Sequence, residues 1–186
     1  MVKNKSLTPL GKAMAHFPIS PCYSCSLLAA LLLHCEREVA TIVALLSTEN
    51  IWRPVSRTAP EIVHKRLERV KESFLDKRSD LLGLLNIYRE WKEHNFSDKW
   101  VNDHFLQSRA LKQAQNIRQQ LLDYLKKTKL QDIQKYIDPS LLEEKSPEEG
   151  RKSLRILKSL SCGLFINSAK RIVGLEQGLY TSALTK

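Results

Sequence analysis

Arg109, Lys112, Asn116 and Gln119 recur at intervals of three and four residues, the spacing that sets side chains along one face of a helix. Their types suit one chemistry. Guanidinium and ammonium groups donate to phosphate oxygens, and amides both donate to and accept from ribose hydroxyls. Contacts of this kind are indifferent to base sequence and weaken as salt rises. Lys77 and Arg78, at a turn leading into a helix, form a second candidate pair of the same chemistry. The competing explanation is a solvated polar face, the common fate of Lys, Arg and Gln. Arg151, Lys152, Arg155 and Lys158 make a further cluster, whose competing explanation is pairing with Glu143, Glu144, Glu148 and Glu149 just before it.

Catalysis finds no comparable set of residues. His16, His34, His64, His94 and His104 show neither metal-ligand spacing nor a paired nucleophile. Cys22-Tyr-Ser-Cys25 has redox or zinc spacing, but no second pair completes a four-ligand site, and His16 or His34 would have to join it. Ordinary thiols are the expectation for all four cysteines, in keeping with a reducing, intracellular setting. The sequence has no Gly-x-x-x-x-Gly-Lys-Ser/Thr phosphate loop and no Asp-Glu-Ala-His magnesium motif, so no ATP or Mg site is expected in these residues.

The basic candidates sit where the charge surplus lies. The 186 residues carry a formal net charge of +10, yet residues 61–104 hold 9 basic and 9 acidic groups and cancel. In 105–127, Arg109, Lys112, Arg118, Lys126 and Lys127 face only Asp123. A net +10 alone fits a membrane surface as well as nucleic acid. The apolar stretches 27–33 and 39–46 are each too short to span a bilayer, which takes about 20 residues. The N-terminus has no apolar run of a secretory signal. Hydrophobic residues at 42%, with 6 Gly and 7 Pro, exclude disordered and collagen-like classes and favour a helical fold.

Helical periodicity supplies the elements that must hold these groups. Residues 27–46 read as two packed helices, with a turn at His34-Cys35-Glu36-Arg37-Glu38. Val63, Leu67, Val70 and Phe74 form one face of a helix from Glu61, and Leu81, Leu84, Leu85, Tyr88 and Trp91 another stripe. Ser97 or Asp98 caps a helix expected to hold Trp100 and Phe105. Trp91, Trp100 and Phe105 are expected in the core, with base stacking the alternative. A helix over about 107–127 buries Ala110, Ala114, Ile117, Leu121 and Leu125, turns Arg109, Lys112, Asn116 and Gln119 outward, and leaves Arg118 at one flank. Residues 129–150 read as a short helix and connector. Leu154, Leu157, Leu160 and Leu164 mark a last helix, and Gly178-Leu-Tyr-Thr-Ser a strand that stops before a sheet can close.

Several of these strings resemble a known family. Leu7-Thr-Pro-Leu-Gly-Lys-Ala-Met-Ala-His-Phe-Pro18 is similar to the end of the winged-helix module of DEAH-box ATP-dependent RNA helicases. Thr41-Ile-Val-Ala-Leu-Leu-Ser47 with Glu49-Asn-Ile51, then Leu84 to Trp91, Trp100, Phe105 and Arg109 to Leu121, resemble their helicase-associated, ratchet-like domain. Cys162 to Lys170 and Gly178-Leu-Tyr180 are similar to the entry of their OB-fold module. The order and spacing follow the family, with two departures. Lys77-Arg78-Ser79-Asp80 stands where the family has Glu-Gly-Asp-His, and Gln113 replaces a basic residue.

The resemblance implies an all-α helical bundle with the end of a winged helix before it and the truncated start of an OB-fold after it. The implied divisions are 1–20 (winged-helix end), 21–128 (ratchet-like domain), 129–150 (connector) and 151–186 (OB-fold start). It implies an accessory region that guides single-stranded RNA and couples it to motor domains, in cis or in trans, which would bind ATP and Mg. A helicase activator protein is a further implied partner, no membrane is, and the nucleus is favoured over the cytoplasm. A reading from another class stays open: a stand-alone helical protein-interaction module without RNA binding.

Overall fold

The computed structural model describes residues 7–128, 148–171 and 180–182. Among them are eight α-helices: α1 (Pro9–Ala15), α2 (Pro21–Leu32), α3 (Glu36–Leu46), α4 (Glu61–Phe74), α5 (Asp80–Glu93), α6 (Asp98–Asp103), α7 (Ser108–Lys127) and α8 (Glu148–Leu164). The fold class is all-α. A short 3-10 turn, Phe165–Asn167, and two three-residue strands, β1 (Ala169–Arg171) and β2 (Tyr180–Ser182), follow. The strand expected at Gly178–Ser182 is therefore not alone: β2 pairs antiparallel with β1, Ala169 opposite Ser182. The expected short helix and connector of 129–150 lie mostly outside the described residues.

Helix starts follow capping chemistry. Side-chain oxygens of Thr8, Ser20, Ser79 and Ser97 accept from backbone N–H groups in the first turns of α1, α2, α5 and α6, with Pro opening α1 and α2. Helix ends are less conventional. His34, Asn95 and Phe105 take positive φ of 54°, 53° and 56° where glycine is the usual residue. Each is followed by an N–H that reaches five residues back, Cys35 to Ala30, Phe96 to Trp91 and Leu106 to Val101. Phe105 thus stands outside α6, not within the helix expected to hold it, and the reversal it makes carries Leu106 into the core.

The chain divides into two compact units, Met1–Val39 with Tyr124–Lys186, and Ala40–Asp123. Helices α2 and α8 both belong to the first unit. There α2 packs along α8 on a seam of small residues. Ser26 Oγ donates to the carbonyls of Cys22 and Leu160 at 3.2 Å each, and Cys35 Sγ lies 3.3 Å from Ser159 Oγ. A Cβ added at Gly163 would overlap the Cys22 carbonyl oxygen, so only glycine admits this approach. Leu27, Leu28, Ile156 and Leu160 are fully buried in this unit.

The second unit is built on rings. Trp91 is wholly buried and meets Phe96 edge to face, with centroids 4.9 Å apart, and Tyr88 at 6.0 Å. Trp100 stacks on His104 at 4.2 Å and on His94 at 5.4 Å, and Phe74 closes on Trp100 edge-on at 6.0 Å. Ala110, Leu111 and Ala114 of α7 and Ala44 and Leu45 of α3 complete this cluster. The loop after α3 is tied to the start of α7, where Gln107 Nε2 donates to the carbonyls of Asn50 and Trp52 at 2.8 and 2.9 Å. The core assignment of Trp91 and Trp100 agrees with the sequence reading. Phe105 is half-buried instead, with the Arg66 guanidinium 5.5 Å over its ring.

Candidate nucleic-acid interface

The α7 wheel divides as its sequence dictates. Ala110, Ala114, Leu121 and Leu125 are buried and Ile117 is partly so, while Arg109, Lys112, Asn116 and Gln119 are all exposed. Leu111 is buried beside the expected stripe. Within this face the four candidates differ in how they are engaged. Lys112 Nζ donates to Asp98 Oδ2 at 2.8 Å, a surface pair that holds the Asp98 carboxyl below its usual range. Gln119 Nε2 donates to the carboxylate of Asp123, one turn on. Arg109 and Asn116 have no ion-pair or hydrogen-bond partner among the described residues.

Lys77 and Arg78 stand in the turn between α4 and α5. Arg78 is committed there: Nε and a terminal nitrogen grip the two oxygens of Asp76 at 3.0 and 2.9 Å, and the Arg78 N–H adds a third bond. The guanidinium holds the Asp76 carboxyl below its usual range. Lys77 is exposed. In the α8 cluster, Lys152 pairs with Glu38 of α3 at 2.7 Å, a partner distant in sequence, while the expected partners Glu143 and Glu144 lie outside the described residues.

Arg118, left by periodicity at the flank, is anchored from two sides. Its Nε donates to Thr41 Oγ1 at 2.8 Å, and its guanidinium carbon lies 5.5 Å from the Tyr88 ring. Burial pushes the Tyr88 phenol up and the neighbouring Arg118 opposes that shift. Around them opens a groove of about 330 Å³ between α5 and α7, lined by Tyr88, Lys92, Phe96, Gln115, Asn116, Arg118 and Gln119. Two of the sequence candidates, Asn116 and Gln119, meet here. Arg109, Lys112, Lys77 and Arg78 are not among its lining residues. Sequence reasoning missed Lys92 and Gln115 and gave Tyr88 only to the apolar stripe. The one local signal was the interval of four between Tyr88 and Lys92, which puts both on one side of α5.

Residues 20–84 match the family model described as the helicase associated domain (HA2), ratchet-like. Over 165 residues, 89% of its length, the chain is 36% identical to the pre-mRNA-splicing factor ATP-dependent RNA helicase prp22 of Schizosaccharomyces pombe. Over 126 residues, 68% of its length, it is 30% identical to the probable ATP-dependent RNA helicase DHX35 homolog of Caenorhabditis elegans. The chain belongs to the ratchet-like helicase-associated family. Its relatives are DEAH-box RNA helicases, of which the matched segments span 12% and 16%.

The structure gives physical reasons for the residues that carry this helicase-associated pattern. Thr41 and Arg118, from two separate strings, meet in one hydrogen bond. Trp91 and Trp100 are core rings, and Gly163 permits the close passage of α8 past Cys22. No group of three or more His, Cys, Asp or Glu among the described residues is placed to hold a metal ion. Burial pushes the Cys25 and Cys162 thiols up, with neighbouring thiols adding to the effect at Cys25. Among the described residues no helix is long and apolar enough to cross a membrane.

Proposed function

We propose that this helicase-associated region guides single-stranded RNA and couples it to helicase motor domains, in cis or in trans, which supply ATP and Mg binding. The observation that carries this reading is the exposed α7 face, with Arg109, Lys112, Asn116 and Gln119 turned away from a buried apolar stripe in a chain related to RNA helicases. Donors held on a rigid helix suit phosphate and ribose contacts that do not depend on base identity. Residues 1–20 are assigned to the end of a winged helix and residues 151–186 to the start of an OB-fold, and the site of action to the nucleus. A helicase activator protein is a further partner.

The internal pairing of Lys112, Gln119 and Arg78 favours the second reading, a protein-interaction module without RNA binding. Fluorescence anisotropy of a labelled oligouridylate of about twelve nucleotides separates the two. RNA guidance predicts binding at about 50 mM salt that falls steeply by about 200 mM. An absence of binding at low salt leaves the protein-interaction module.

A further inference from the structure

The α5–α7 groove has a composition that neither a solvated face nor a plain basic patch explains. Its floor is aromatic, with Tyr88 buried and Phe96 half-buried. Two cations stand on opposite helices, Lys92 exposed on α5 and Arg118 half-buried on α7. Three neutral amides, Gln115, Asn116 and Gln119, complete the wall. Arg118 is oriented before any ligand arrives, because its bond to Thr41 and its position by the Tyr88 ring restrict the side chain. Phe96 is oriented too. Its backbone sits at a φ of 57°, a costly conformation for an aromatic residue, and its ring is braced edge-on by Trp91.

These groups match the parts of one nucleotide. A phosphate asks for cations, a base edge for groups that both donate and accept, and a base face for a ring or a guanidinium plane. An acidic peptide would satisfy the two cations and the amide donors, as the Asp123 carboxylate already does for Gln119, and leave the aromatic floor without a planar partner. The volume, about 330 Å³, is of the size of a single unit of a strand.

We infer that the groove between α5 and α7 is a subsite for one nucleotide of single-stranded RNA, with Lys92 and Arg118 at the phosphate and Gln115, Asn116 and Gln119 along the base and ribose. This deepens the proposed function and rests on it. Lys92 is thereby a binding residue on a helix separate from the α7 face, and Arg118 a binding residue held by Thr41.

The test uses the full 186-residue chain and the same oligouridylate, with one 4-thiouridine for photo-crosslinking. Lys92→Ala and Asn116→Ala leave the core untouched and are expected to weaken affinity about three- to tenfold each. Crosslinks are expected on the peptides that hold Tyr88 and Phe96. Arg118 is left intact, since its loss would also break the tie to Thr41. If both variants bind within twofold of the parent while Arg109→Ala weakens binding, the groove is not the subsite and RNA guidance stands. If the parent chain binds no RNA, both fall. Displacement of the RNA by polyglutamate at equal charge concentration would show a carboxylate site and overturn the nucleotide assignment.

Discussion

The two compact units reach burial by opposite means. In the first, α2 and α8 approach until backbone carbonyls, hydroxyls and thiols touch, through Gly163, Ser26 and Cys25, with Cys35, just past α2, against Ser159. In the second, large rings hold the helices together, with Trp91, Phe96, Trp100 and Phe74 at ring spacings of 4.9 to 6.0 Å. A seam of small residues has no room for an added atom. A cluster of rings has no neighbour able to fill the space of a lost one. The same class of substitution should therefore have different consequences in the two units.

The largest effect is expected from removal of a ring. Trp91→Ala should cost about 3–5 kcal/mol, read as a lowered midpoint in urea unfolding. Partial compensation by collapse, with a loss under about 1 kcal/mol, would show that the ring cluster is not the support described. Next comes the addition of one methyl group. Gly163→Ala meets a backbone carbonyl and should cost about 1–3 kcal/mol, whereas Gly83→Ala in α5 stands 3.1 Å from the Phe74 carbonyl and should change stability by less than about 1 kcal/mol. Equal effects at the two glycines would erase the distinction between the units.

How much of this was readable in the sequence follows from the same contrast. The rings of α5 and the apolar stripes of α4 and α7 are set by local intervals of three and four, which one stretch of chain reveals. The α2–α8 seam joins residues such as Ser26 and Leu160, 134 positions apart, and small residues carry no hydropathy signal, so nothing local announced it. Helix ends were hidden for a related reason. His34, Asn95 and Phe105 adopt the left-handed conformation in place of glycine, and the residues that follow His34 and Phe105, Cys35 and Leu106, are buried. The candidate site was half visible. Periodicity showed which α7 residues face outward, but Lys92 joins Asn116 only through tertiary packing.

A smaller effect concerns pH. Burial pushes the Cys35 thiol up from 9.0 to about 11, although Ser159 bonding opposes the shift. A raised folded-state value means that the neutral thiol contributes stability fully below pH 9.0 and loses it as pH rises through about 11. The unfolding midpoint of the parent should fall over that window more than that of Cys35→Ala. Identical profiles would place the thiol in water. The smallest effect is expected for Lys112→Ala, since its pair with Asp98 is exposed and screened by solvent, so any loss of RNA affinity in that variant reports on binding and not on stability.

The central claim is that the outward face of α7 neutralises phosphates of single-stranded RNA. Its most direct measurement is the slope of log affinity against log salt for the oligouridylate, in the parent chain and in the double variant Arg109→Ala/Lys112→Ala. Each lost phosphate contact should lower the slope by about 0.7–1, so a reduction of about 1.5–2 is predicted. Identical slopes in the two chains would contradict the account.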